Sequence, residues 1–129
     1  MTKRIINTTF APSAIGPYSQ AVWVGETLYL SGQIALNPSS GEFHNQDFTT
    51  EAQQIFANIK AVLTAAGGNF ADVIKLTIYL IDFADFQTLN TLMSEVFPEP
   101  YPARTTIAVS ALPKGARLEI ETIAHIKAA

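Results

Sequence analysis

At 129 residues and 48% hydrophobic content, the chain has room for one domain spanning residues 1–129 and enough apolar surface for a single substantial core. Eight basic against eleven acidic residues give a net charge of −3, and no basic run offers a grip on phosphate backbones. With no cysteine, disulfides, thiolate nucleophiles and thiolate zinc sites are excluded, so any chemistry falls to oxygen and nitrogen groups.

Lys3 and Arg4 are followed by polar Asn7, Thr8 and Thr9 rather than a long apolar run, so a secretory signal is not expected. No stretch approaches the roughly 18 apolar residues of a membrane span, and a soluble, cytoplasmic protein is the expectation. A first strand is expected at Lys3 to Ile6. Val22 and Val24, then Leu28 and Leu30, alternate around Gly25-Glu26 and predict a hairpin from Ala21 to Ser31. Asn37 to Gly41 is a turn cluster, and the polar stretch through Asp47 reads as loop. Ala52, Ile55, Phe56, Ile59, Val62 and Leu63 then recur at helical spacing, with Gly67-Gly68 as the stop.

Val73 to Ile81 reads as a strand, with Ile74, Leu76, Ile78 and Leu80 on one side and Lys75, Thr77 and Tyr79 on the other. Asp82 is placed to cap a second helix carrying Phe86, Leu89, Met93, Val96 and Phe97, which Pro98, Pro100 and Pro102 end. Arg104 to Ser110 and Leu118 to Ile126 are the last two strands. The order ββαβαββ, with the extra N-terminal strand ahead of it, predicts an α+β fold in two layers, a mixed sheet with two helices on one face. Setting Ile107 and Val109 against the helices sends Arg104, Thr106, Glu119, Glu121, Ile123, Thr77 and Tyr79 to the opposite face, with Tyr29 and Ser31. That face suits neither water nor a plain core, and suggests association with other copies that leaves polar pockets between them.

Among residues able to do chemistry, Arg104 follows Tyr101-Pro102-Ala103 at a strand start. Its guanidinium fork suits a small organic acid in a way lysine cannot copy. The competing reading is an ion pair to Glu119 or Glu121 on the next strand, which spacing alone favours. Glu119 or Glu121 could orient or deprotonate a water, worth roughly 10²- to 10⁴-fold, or simply form a solvated face. Tyr18 in Gly16-Pro17-Tyr18-Ser19-Gln20, and Ser31 and Gly32 at the end of the hairpin, could line a pocket or be ordinary turn residues. Asn90 sits at the edge of its helix's apolar stripe, where its amide needs partners. His44 and His125 show no metal-ligand spacing and no triad pattern. Trp23 and Phe56 are read as core.

Tyr101-Pro102-Ala103-Arg104-Thr105-Thr106, Leu112-Pro113-Lys114-Gly115 and Leu118-Glu119-Ile120-Glu121 closely resemble the C-terminal signature of the RidA family of imine deaminases. Gly16 to Ala21, Leu28 to Gln33, the Asn58 to Gly67 helix end and Lys75 to Leu80 also resemble that family, in order and over nearly the whole chain. The resemblance implies a chorismate-mutase-like homotrimer with three clefts between subunits, which hydrolyses 2-imino acids to 2-keto acids and ammonia. It implies that Arg104 binds the substrate carboxylate, that Glu119 helps hold the attacking water, and that Tyr18, Ser31, Gly32, Asn90 and Thr106 line the cleft. No metal or organic cofactor is implied. A functional link to pyridoxal-phosphate dehydratases, which release such imines, is. Thr106 stands where several relatives carry cysteine, and Thr105 replaces the more usual serine or alanine, so thiol-dependent behaviour is not expected. The alternatives are a non-catalytic module that binds small carboxylates, a chaperone-like role, and an endoribonuclease, against which the acidic balance argues.

Overall fold

Gly25 turns the chain with φ +57°, a left-handed conformation that favours glycine, and joins strand β2 (Ala21–Val24) to strand β3 (Thr27–Gln33). The computed structural model describes residues 2–127. Strand β1 (Arg4–Ile6) forms where the N-terminal strand is expected and runs antiparallel along β2. Helix α1 (Phe48–Ala65) starts where the Asp47 carboxylate accepts the Thr50 N–H at 2.7 Å. That cap holds the Asp47 carboxyl below its ordinary range. The helix ends where Gly67 takes φ +83° and the Gly68 N–H returns to the Leu63 carbonyl at 2.8 Å, so the predicted glycine stop is real. Strand β4 (Val73–Leu80), helix α2 (Phe86–Val96), strand β5 (Ala103–Ala108) and strand β6 (Leu118–His125) complete the order read from the sequence.

The six strands lie in the order β1-β2-β3-β6-β4-β5, with β4–β5 parallel and every other pair antiparallel. Both helices cover one face of this mixed sheet, as expected. Leu28, Leu76, Ile78, Leu80, Leu118 and Ile120 from the strands close on Ile55, Ile59, Val62 and Leu63 of α1 and Leu89 of α2, all fully buried. Each such side chain contributes roughly 1.5–3 kcal/mol by leaving water. Trp23 and Phe56 belong to this core, and the Phe56 ring meets Phe97 edge-on. No helix among the described residues is long and apolar enough to cross a membrane.

Three local expectations are corrected. Ile74 does not face the helices. A register shift between Val73 and Lys75 puts Val73 into the core and leaves Ile74 half exposed, because a bulge breaks the two-residue alternation. Asp82 accepts the Ala84 N–H and caps a 3₁₀ turn, Phe83–Asp85, while α2 begins at Phe86 with no side-chain cap.

The third correction reverses the two faces of β5. Its parallel register pairs Leu76 with Arg104, Ile78 with Thr106 and Leu80 with Ala108, so Arg104 and Thr106 lie on the helix side. Ile107 pairs with Tyr79 and stays exposed on the outer face. As an edge strand, β5 reaches beyond the apolar core. Its helix side meets the flank of α2, which accepts polar groups. The rest of the outer face is as predicted: Tyr79 beside Glu119, Thr77 beside Glu121 and Tyr29 beside Ile123.

Candidate functional site

Two half-sites emerge, one on each side of the sheet. The first is built where β5 passes α2. Arg104 Nη1 donates to Asn90 Oδ1 at 2.7 Å and lies 3.4 Å from Met93 Sδ, and the guanidinium carbon sits 5.2 Å from the centre of the Phe86 ring. Asn90 thus has the partner that its place at the stripe's edge demands. These contacts orient the guanidinium through neutral groups and leave its other donors open. The predicted competitor is absent: among the described residues the ion pairs are Arg117–Glu51 and His125–Glu26, and Arg104 belongs to neither. Beside Arg104 lies a recess of about 260 Å³ lined by Asn90, Met93, Ser94, Tyr101 and Pro102. One step further along β5, the Thr106 hydroxyl is buried with no hydrogen-bond partner in the chain.

The second half-site lies on the outer face. Gln20 is buried. Its side-chain oxygen accepts the Thr8 N–H, while its amide nitrogen lies 2.8–3.3 Å from the Thr8, Ala11 and Pro12 carbonyls. This staple forms one wall. Ser31 donates from Oγ to the Ser19 carbonyl at 2.6 Å, and its N–H bonds the Gln20 carbonyl at 3.0 Å. Tyr18, half exposed, accepts the Ile15 N–H. The Glu119 side chain crosses directly over Gly32, so closely that a β-carbon there would collide with the carboxylate. Tyr18, Ser31, Gly32, Glu119, Glu121 and Lys114 line a cavity of about 500 Å³. Burial raises the Glu119 carboxyl above the ordinary glutamate range, and the like charge of Glu121 adds to it. The same causes, burial first and then Glu121 and Glu119, raise the Tyr79 hydroxyl.

The predicted residues therefore fall into two groups: Arg104, Asn90 and Thr106 on the helix side, and Tyr18, Ser31, Gly32 and Glu119 on the outer face. Arg104 and Glu119, expected on one face, occupy opposite faces two strands apart, and one chain does not bring them together. Sequence reasoning missed Phe86 and Met93 as supports of Arg104 and Lys114 as a lining residue. It also missed Gln20 as the staple and the pairing of buried Glu51 with half-exposed Arg117. A charged residue on the apolar stripe of α1 was a readable signal for Glu51. No group of three or more metal-ligating side chains gathers among the described residues.

Residues 8–126 match the family model described as Endoribonuclease L-PSP. A protein from Dermatophagoides farinae named 2-iminobutanoate/2-iminopropanoate deaminase is 51% identical, over 97% of this chain and 98% of its own length. A human protein of the same name is 47% identical over 96% of this chain and 90% of its own. The crystal structure of RidA from an Antarctic Psychrobacter species superposes with a TM-score of 0.92 at 47% identity, covering 95% of this chain and 99% of that one. The chain belongs to the RidA family. Within the RidA family fold, both half-sites lie inside the matched residues. This RidA-family chain carries no cysteine, and of its two threonines on β5, Thr106 brings a hydroxyl to the helix-side half-site while Thr105, paired with Thr77, lies on the outer face.

Proposed function

We propose that the chain hydrolyses 2-imino acids, such as 2-iminobutanoate and 2-iminopropanoate, to 2-keto acids and ammonia, in clefts between neighbouring copies of a homotrimer. The observation that carries this reading is the Arg104 guanidinium. It is oriented by Asn90, Met93 and Phe86, it has no carboxylate partner among the described residues, and it borders an open recess. A fixed, unpaired fork is what a small carboxylate needs. The names of the relatives support the choice of imino acids.

In this reading one copy brings Arg104 and Asn90, and its neighbour brings Glu119, Tyr18, Ser31 and Gly32. The exposed edge strand β5 and the mixed outer face of Tyr29, Tyr79 and Ile107 support association, because no solvent-facing role suits them together. Arg104 takes the substrate carboxylate in a bidentate grip. The Glu119 carboxylate accepts a proton from water as the water oxygen bonds to the imine carbon, and the C=N π electrons pass to a nitrogen that is protonated. Glu119 then gives that proton to the carbinolamine nitrogen, the C–N bond breaks with its electron pair leaving on ammonia, and the hydroxyl proton passes to solvent as the carbonyl forms. An imine is already electrophilic, so orienting one water and anchoring one charge is sufficient equipment.

The competing endoribonuclease reading takes its support from the family's description. The net charge of −3 and the paired Glu119 and Glu121 at the larger cavity stand against it, since both repel phosphates. The deciding assay generates 2-iminobutanoate freshly from threonine with a dehydratase and follows 2-oxobutanoate appearance. Faster release with the protein than without it is expected, and a rate equal to the spontaneous one refutes the reading.

A further inference from the structure

Glu51 is the only charged residue buried among those described, and it lies on the stripe of α1 that otherwise builds the core. Its two oxygens are divided. Oε2 accepts the backbone N–H of Arg117 at 2.7 Å, and Oε1 accepts the Arg117 guanidinium at 3.2 Å. The same guanidinium nitrogen donates to the Asn45 carbonyl at 3.0 Å, and the Arg117 carbonyl accepts the Ile81 N–H at 3.2 Å. Arg117 is therefore gripped by α1, by the loop before α1 and by the chain leaving β4. It stands two residues before Glu119, where β6 begins.

Burying the Glu51 carboxylate against a half-exposed Arg117 is a poor device for stability alone, because an apolar side chain of similar volume would spare the cost of taking the charge out of water. What this pair supplies is position. The turn that feeds β6 holds Lys114 at φ +57° and Gly115 at φ +69°, with no side-chain cap at its entrance and only the Ala116 N–H to the Pro113 carbonyl at its exit. Glu119 has little tolerance at its destination, since it must pass over Gly32 with no space for even a β-carbon. Burial raises the Glu51 carboxyl, and Arg117 opposes that rise through its N–H, its charge and its guanidinium.

We propose that Glu51 is a positioning residue for Glu119: with Arg117 it clamps the entry to β6, so that the Glu119 carboxylate lies across Gly32 in the orientation a bound water requires. The role assigned to that water rests on the deaminase reading, whereas the placement of Glu119 does not. The test replaces the whole clamp at constant net charge, Glu51→Met with Arg117→Met, and follows the Glu119 carboxyl titration by NMR on ¹³C-labelled protein. Glu51→Gln, which keeps an acceptor for the Arg117 N–H, serves as the milder companion and decides by the same criterion if the double variant fails to fold.

The Glu119 titration is expected to move in the double variant, and less far in Glu51→Gln. Turnover of 2-iminobutanoate should fall about tenfold or more while KM and 2-oxobutanoate affinity stay within about twofold, as displacement of one reacting group predicts. A Glu119 titration superimposable on wild type in the folded variant overturns the proposal, whatever happens to turnover. Wild-type protein inactive on imines would count against the deaminase reading alone, because the titration still decides whether Glu51 positions Glu119.

Discussion

The two half-sites achieve order by opposite means. Arg104 sits on an edge strand and is steadied by neutral partners, Asn90, Met93 and Phe86, so its charge remains available. Glu119 sits on the central strand β6, held by crowding against Gly32 and made more basic by burial and by Glu121. The first half is equipped to attract an anion, and the second to hold a proton that a free glutamate would give up. In the proposed mechanism binding and proton transfer fall to different faces of one sheet, and the two should fail independently when mutated.

The largest effect is expected from Glu119→Gln, which should lower turnover by about 10²-fold or more while leaving 2-oxobutanoate affinity intact. Steady-state kinetics beside calorimetric binding checks this, and turnover within a few-fold of wild type would remove Glu119 from the mechanism. Because burial disfavours the ionised carboxyl, Glu119 weakens the folded state as pH rises from the ordinary glutamate range through its raised value. The melting temperature of Glu119→Gln at pH 7 should therefore not fall below that of wild type.

Arg104→Lys should produce the complementary failure, an unchanged melting temperature with kcat/KM and carboxylate affinity reduced about 10²-fold, since a point charge cannot reproduce the fork. Retained affinity would show the arginine to be structural. Gly32→Ala should cost about tenfold in turnover with little change in 2-oxobutanoate binding, because the new methyl displaces Glu119 and leaves Arg104 untouched. Equal losses in binding and turnover would mean that the two halves are not separable. The smallest effect belongs to Glu121→Gln. Activity that needs the Glu119 carboxylate declines on acidification, and removing the neighbouring charge should move that decline to lower pH. An unmoved acid limb would deny any coupling between the two glutamates.

Much of this organisation was legible in the sequence because burial writes a period into it. The α1 stripe, the Gly25 hairpin, the Gly67 stop and the order of elements along the chain all follow from apolar spacing and turn chemistry. The face of β5 was not legible. Arg104-Thr105-Thr106-Ile107 sits at a sheet edge where no deep core imposes a phase, so the most apolar residue misleadingly suggested which side was inside. The bulge at Ile74 hid in an alternation that looked perfect. Resemblance to the RidA family pointed to residues of both half-sites, yet motif order along a chain does not say on which face each motif lies. The pairing of Glu51 with Arg117, 66 positions away, is set by how α1 packs on the sheet and has no local signature.

A working site that takes Arg104 from one copy and Glu119 from its neighbour can be rebuilt by mixing subunits. Arg104→Ala and Glu119→Gln proteins, each inactive alone, would be unfolded together in equal amounts and refolded as mixed trimers. Random assembly then gives a cleft with both native halves in about one interface of four, so about a quarter of wild-type imine hydrolysis should return. Activity no greater than that of the two parents would contradict the shared site.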